Sequence, residues 1–336
     1  MASTYDFAVG GTSIRDALRA LKNASVPGDE SGSSIVTPAG PALELTPADA
    51  TPPRLEPAEP IESDPTAVRE VGEPVVAFAA FLDGIQTSRA LYPDGDSTPL
   101  VHGTVAAVIR QRADRALHTW GGAPLISRAF HAPVALLSPR LVARFHAANI
   151  PIEDTLEPGD APDARHPMEL LALARNAVQR RRELLEIELA ERWTDSETAP
   201  LFVDGGISGA GRASQSVLSV GVVKSHRTLY TAGESLAVIT ALKAAARSAA
   251  FEIRPKYRST VASWYLRLRD ARGRDPFFGL VRVEIARESF TSARADEVSR
   301  WVLAERSPVS LPDKRWSTMA YGIRDCEEYL RALTGA

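Results

Sequence analysis

Two apolar runs in this sequence each end on an aspartate followed by glycine: Val75-Val76-Ala77-Phe78-Ala79-Ala80-Phe81-Leu82-Asp83-Gly84 and Leu201-Phe202-Val203-Asp204-Gly205-Gly206. Each places a carboxylate at the end of what reads as a buried strand. A desolvated carboxylate costs several kcal/mol or shifts its pKa, so it is paired, solvated or metal-bound. Two such ends point to a shared metal site. The plain alternative is that both Asp-Gly pairs open turns. Oxygen ligands from Asp and Glu suit magnesium or manganese, ions that activate water and neutralise charge at a scissile phosphate.

That chemistry needs a third carboxylate, and the long helix expected over Met168 to Trp193 carries Glu183, Glu186 and Glu188. With the apolar stripe on Val178, Leu185 and Leu189, Glu186 lies about sixty degrees off the stripe and Glu188 about one hundred degrees to the other side. Phase favours Glu186, with Glu188 in reserve. All three also have arginines within reach on a solvated helix face, namely Arg180, Arg181, Arg182 and Arg192.

The remaining chemistry is sparse. There is no phosphate loop of the Gly-x-x-x-x-Gly-Lys-Ser/Thr type, no Gly-x-Gly-x-x-Gly after a strand and no His-Glu-x-x-His pair. Gly206-Ile207-Ser208-Gly209 is not a nucleophile elbow, because Ala210 stands where the second glycine belongs. The histidines share no ligand spacing; only His226, beside Lys224 at a strand end, draws attention as a binding residue. The single cysteine, Cys326, excludes an intramolecular disulfide and fits a reducing compartment. Positive charge is concentrated in Arg180-Arg181-Arg182 and in a stretch from Arg254 to Arg274, where Arg267 and Arg269 fall on one face of a strand and offer a seat for a nucleic-acid backbone. Trp264 and Tyr265 in that strand are either packing residues or a stacking platform for a base.

These groups must be positioned by a domain, and the chain is long enough for one. Its 336 residues, 44% hydrophobic and 24% charged with a formal net charge of -3, describe an ordinary globular protein. No apolar run reaches the roughly 18 residues that cross a bilayer, and the N-terminus lacks a secretory pattern, so the expected location is the cytoplasm. A short amphipathic helix over Ser13 to Lys22 precedes Ala24 to Pro74, an acidic segment rich in Pro, Ala, Ser and Gly that reads as a flexible arm. The expected division is therefore 1–73, helix and arm, and 74–336, one folded domain.

Within that domain, strands are expected at Val75 to Leu82, Val101 to Ile109, Ala132 to Leu137, Leu201 to Asp204 and Val217 to Lys224, with a hairpin made by Ala262 to Arg269 and Phe277 to Ala286. Helices are expected at Pro139 to Ala148, Met168 to Trp193, Glu234 to Ala250, Ala293 to Ala304 and Gly322 to Leu333. The result is an α/β domain with a mixed sheet covered by helices.

The order of several short pieces resembles the NurA nucleases: Asp83-Gly84, Arg182-x-x-Leu185-Glu186, Val203-Asp204-Gly205-Gly206-Ile207-Ser208, Gly221-Val222-Val223-Lys224-Ser225-His226, and Arg315-Trp316-Ser317-Thr318-Met319-Ala320-Tyr321-Gly322-Ile323-x-x-Cys326-Glu327. The resemblance covers Pro74 to the C-terminus. It implies an RNase H-like fold related to PIWI domains and a manganese- or magnesium-dependent DNA nuclease. Implied partners are a HerA-type hexameric ATPase and a second copy of the chain, in DNA end processing or anti-phage defence. Carried over by position, Asp83, Asp204 and Glu186 hold metal, Glu327 is a further catalytic carboxylate, and Lys224 and Arg315 hold phosphate. The chain departs from the family at Tyr321-Gly322-Ile323, where Tyr-Pro-Ile is common, and at Asp83-Gly84-Ile85, where Asp-Gly-Ser is typical. Two other readings compete: an RNase H-like body that binds DNA or a partner without chemistry, and an actin-like phosphotransferase using Gly205 to Gly209 as a phosphate turn.

Overall fold

The computed structural model describes residues 12–24, 35–36, 52–93, 95–113, 116–157, 159, 165–306 and 320–334. Helix α1 (Ile14–Asn23) is capped by the Ser13 side chain, which accepts from the Asp16 amide. Four short strands follow, β1 (Ile35–Val36), β2 (Arg54–Leu55), β3 (Glu59–Pro60) and β4 (Val68–Glu70), and then the long central pair β5 (Ala80–Pro93) and β6 (Leu100–Ala113). β7 (Ala116–Thr119) and β8 (Leu125–Ala132) continue the meander, and α2 (Pro139–Ala147) leads to β9 (Ile152–Asp154).

A thirty-residue helix, α3 (Pro167–Ser196), crosses to β10 (Leu201–Asp204), which pairs parallel to β5, and β11 (Ser219–Val223) pairs parallel to β10. The order β8-β6-β5-β10-β11, antiparallel through the first three and parallel through the last two, is the RNase H-like arrangement. The remaining elements are β12 (Thr228–Leu229), α4 (Gly233–Ala241), β13 (Ala246–Ser248), β14 (Phe251–Ile253), β15 (Val261–Arg267), β16 (Leu280–Ala286), α5 (Ser292–Ala304) and α6 (Tyr321–Thr334). β16 joins β11 antiparallel and carries β15, β14 and β3 beyond it, so a single mixed sheet runs through the molecule.

Helices cover both faces of that sheet. The stripe Leu171, Ala174, Val178, Leu185, Leu189 and Trp193 on α3 packs on one face with Leu82, Val105 and Val203. On the other face Phe78, Phe81 and Phe202 pack against α5 and α6 through Trp301, Ile323 and Leu330. Gly322 explains the departure from Tyr-Pro-Ile: a Cβ there would collide with the Phe81 ring, so only glycine lets α6 approach β5 this closely. No helix among the described residues is long and apolar enough to cross a membrane.

Several elements differ from the sequence expectation. β5 begins at Ala80 rather than Val75, because the amides of Val75 and Ala79 are taken by the carbonyls of Arg300 and Pro200 instead of a neighbouring strand. Asp83-Gly84 is not a strand end at all, since β5 pairs on with β6 as far as Leu91↔Leu100. The third strand lies at Leu125–Ala132, ahead of the expected Ala132 to Leu137, where a short 3-10 turn sits. The alanine-rich segment expected as one helix to Ala250 breaks after Ala241 into β13 and β14, where pairing with β15 and β4 overrides helix propensity.

The arm also differs. From Pro52 it is stitched to the domain: β2 pairs with β12, β3 with β14 and β4 with β13. Helix α1 packs Ala17 and Leu21 against Leu91, Leu100 and Phe130. A boundary at residue 74 therefore does not separate structural units among the described residues.

Candidate metal centre

Register brings the two aspartates together. β10 runs parallel to β5 with Val203 opposite Leu82 and Phe202 opposite Phe81, so Asp204, the last residue of β10, falls beside Asp83. Neighbouring strands are about 4.8 Å apart. The third carboxylate comes from Glu327 on α6, which packs across β5 and β6. One oxygen from each of Asp83, Asp204 and Glu327 lies within 4.8 Å of the others.

The cluster is poorly solvated and like-charged. Asp83 is 5% exposed, and burial together with the Asp204 charge pushes its carboxyl well above the usual range, against the pull of Lys224. Its Oδ1 accepts from the Gly84 amide at 2.8 Å. Lys224, just past β11, places Nζ 2.7 Å from Asp204 Oδ1. Glu327 Oε2 is 3.3 Å from Arg331 and 3.6 Å from Arg324. Three converging carboxylates, two of them buried, make an all-oxygen donor set that fits a hard divalent cation such as manganese or magnesium.

Glu186 stands one step outside the triad. The Arg182 guanidinium pairs with it one turn back on α3, and its Oε1 occupies the space that a Cβ at Gly84 would need. A side chain in place of the glycine after Asp83 would therefore displace the Glu186 carboxylate from its position beside β5. Burial lifts its carboxyl to about 7 against the opposing pull of Arg182, with Glu183 and Asp204 adding to the rise. Its neighbours are engaged elsewhere: Glu183 accepts from Gln179 at 3.0 Å, and Glu188 pairs with Arg192.

A pH effect follows for the metal-free protein. Because the folded-state carboxyl of Glu186 is raised from 4.5 to about 7, the stability linked to it is present in full below about 4.5 and is lost as pH rises through about 7. The loss amounts to about 3 kcal/mol at about 1.4 kcal/mol for each factor of ten in proton affinity. Urea unfolding in chelator at pH 5 and pH 8 should show this decline, and Glu186→Gln should flatten it. An unchanged slope in that variant would exclude Glu186 as its source.

The basic residues expected from sequence fall into three groups. Lys224 lines the cleft beside Asp83, Asp204 and Glu327. Arg267 does not reach nucleic acid: it is 0% exposed and donates to the carbonyls of Leu242, Phe278, Ile239 and Thr240, because both faces of β15 are covered. Arg269 lies beyond the end of β15 and spends its guanidinium on the Arg306 carbonyl. His226 Nε2 sits 3.0 Å from the Leu280 carbonyl and its ring stacks on Phe277, away from the cleft. Trp264 and Tyr265 are core residues, bonded to Ser299 and to the Tyr230 amide. Arg315 lies outside the described residues.

Sequence reading missed Glu284. This buried glutamate on β16 accepts from the Ile207 amide at 2.8 Å, holding the loop that follows Asp204, and pairs with Arg282. An opposite-charge pair two residues apart in an otherwise apolar strand was the available signal, since both must lie on one face. Glu284 also bears on the phosphotransferase reading, because a carboxylate already occupies the Ile207 amide that a phosphate turn would present.

Two clefts meet at this centre. One of about 470 Å³ is lined by Asp83, Lys224, Glu327 and Arg331. The other, of about 1500 Å³, extends past Glu186 toward Lys256 and Arg258. They share Arg182, Asp204, Gly205 and Val223.

No family model matches the chain, and no curated protein matches it. Among solved structures it is similar to the NurA nuclease from Sulfolobus solfataricus, at 11% identity over 78% of this chain and 81% of that one, with a TM-score of 0.44. It is also similar to endonuclease V from Streptomyces avermitilis, at 14% identity over 89% of this chain and 96% of that one, with a TM-score of 0.30.

Proposed function

We propose that this protein is a metal-dependent nuclease that hydrolyses phosphodiester bonds in DNA. The observation that carries the reading is the convergence of Asp83, Asp204 and Glu327 where two clefts, each carrying basic side chains beside the acidic ones, join. Those three carboxylates would hold manganese or magnesium, with Glu186 close enough to join them or to accept a proton. Bound there, the cation supplies charge neutralisation at the scissile phosphate and a more acidic water.

The chain's own residues account for the remaining work. Lys224 fixes the Asp204 carboxylate and offers charge to a phosphate oxygen. Arg182 and Arg331 project into the same cleft and suit the backbone on either side of the scissile bond. Glu186, beside Gly84 and one step from the three carboxylates, would be ionised by a cation held there and so placed to accept a proton. Glu284 holds the loop that orients Asp204.

The sequence resemblance supports placing this activity beside a HerA-type ATPase and in a homodimer, in end processing or anti-phage defence. The test is cleavage of labelled linear duplex and single-stranded DNA with manganese, magnesium or chelator, alone and with such an ATPase. The expected result is degradation that chelator abolishes. Folded protein that cleaves neither substrate under any of these conditions would overturn the reading and leave a non-catalytic binding subunit.

A further inference from the structure

We propose that the turn joining β14 to β15, Pro255 to Ser259, is a seat for a single-stranded segment of nucleic acid, with Tyr257 stacking on a base and Lys256 and Arg258 carrying flanking phosphates. The proposal rests on the nuclease reading and deepens it by naming where an unpaired strand runs as it approaches the carboxylates.

Charge bookkeeping along the large cleft singles out this turn. Arg54, Arg182, Arg212, Arg254 and Arg282 all line the cleft, and each already pairs with a carboxylate: Glu56, Glu186, Glu191, Glu252 and Glu284 respectively. Among the described residues Lys256 and Arg258 pair with none, and both are exposed. An uncompensated pair of cations in a cleft that ends at Asp204 suits a polyanion.

Tyr257 lies between them and is 91% exposed, the most exposed large hydrophobic side chain among the described residues. It also holds φ at 63°, in the left-handed region that non-glycine residues adopt at a cost. That backbone turns the ring away from the body, where it buries almost nothing; Lys256 Nζ rests 5.0 Å from its centroid. With Lys256 over one face, the other face of the exposed ring is open to stack on an unpaired base, and every base supplies a π-face.

The turn is fixed relative to the candidate centre. The Ser259 amide donates to the Ser208 carbonyl at 2.9 Å, and Arg258 reaches over Gly209, so the seat is anchored to the loop that follows Asp204. A strand stacked on Tyr257 and tracked by Arg258 therefore enters the cleft that Asp204 and Glu186 line.

The experiment measures binding separately from cleavage. Fluorescence anisotropy with a labelled fifteen-residue oligo-dT, and with a blunt duplex, is recorded on full-length Asp204→Asn protein, alone and combined with Tyr257→Ala or Tyr257→Trp. Tyr257→Ala should weaken oligo-dT binding roughly 5- to 100-fold, Tyr257→Trp should retain it, and blunt duplex should change far less. Lys256→Ala and Arg258→Ala should each reduce the slope of log affinity against log salt by about 0.7. Oligo-dT affinity unchanged in Tyr257→Ala, or lost equally for oligo-dT and duplex, overturns the seat while cleavage by the parent chain leaves the nuclease reading standing. A parent chain that neither binds nor cleaves overturns both. Because the ring is exposed and alanine meets the same backbone requirement, the variant tests contact with nucleic acid rather than folding.

Discussion

Asp204→Asn is expected to lower DNA cleavage by about a thousandfold or more, because the charge stabilisation a bound cation contributes is worth several kcal/mol and each 1.4 kcal/mol is tenfold. Asp83→Asn should do the same. Thermal unfolding separates loss of chemistry from loss of fold. In chelator, Asp83→Asn should be more stable than wild type, since it removes a buried charge facing Asp204, Glu186 and Glu327. The sign follows from the direction of the shift: a carboxyl raised in the folded state contributes stability at low pH that is lost as pH rises, so the gain in the variant should be seen at neutral pH and vanish in acid. With manganese or magnesium added, wild type should gain stability and both variants should not. Cleavage retained in Asp204→Asn, or metal stabilisation retained in both variants, would remove the triad as the metal centre.

The second large effect concerns the arm. Arg247 on β13 is 0% exposed and holds three segments together: its Nη1 donates to Glu62 Oε2 at 2.9 Å, its Nε to Asp296 Oδ1 at 2.5 Å, and its Nη2 to Ser292 Oγ at 3.0 Å. Glu62 also accepts from the Ala250 amide at 2.8 Å. Removing one partner of a buried ion pair strands the others, so Arg247→Met should cost about 3–5 kcal/mol in urea unfolding at pH 7. Hydrogen exchange should rise most at residues 54–70, because β2, β3 and β4 lose the anchor beside them.

Acid provides an independent check on the same anchor. Burial alone would raise the Glu62 carboxyl, but hydrogen bonds from Arg247, Ser292 and Ala250 outweigh it and hold the group at about 2. That contribution is present above about 4.5 and is lost as pH falls toward 2, and Arg247→Met should abolish that part of the acid dependence. Unchanged stability and exchange in the variant would mean that β-pairing alone retains the arm.

Some of the architecture was legible because a local pattern was sufficient to specify it. The stripe Leu171, Val178, Leu185 and Leu189 has one solution as a helix lying on a sheet, and its phase turns Glu186 toward β5 rather than into solvent. Asp83 and Asp204 were conspicuous because a charge closing an apolar run is costly wherever the run is buried. Glu327 offered no such signal; in an amphipathic helix it reads as one more polar position, and only resemblance drew attention to it.

Other features were misread for a common reason. Alternation correctly separates Arg267 from Leu266, but which face of a strand meets solvent depends on what covers the sheet. Here both faces of β15 are covered, so Arg267 bonds to backbone carbonyls instead of phosphates. Composition marked the arm as unable to form a core of its own, yet β2, β3 and β4 need none, because they borrow the edges of β12, β14 and β13.

By itself, then, the sequence determined the helices with a clear apolar phase, the mixed α/β class and the two aspartates that cannot be buried without compensation. Only the tertiary structure decided that β10 lies parallel to β5 in the register that sets Asp204 beside Asp83, that α6 brings Glu327 to them, and that Lys256 and Arg258 line the large cleft without a carboxylate partner among the described residues. Periodicity specifies the faces of a single element, whereas register, the approach of distant segments and the pairing of charges arise from contacts between residues more than a hundred positions apart in the chain.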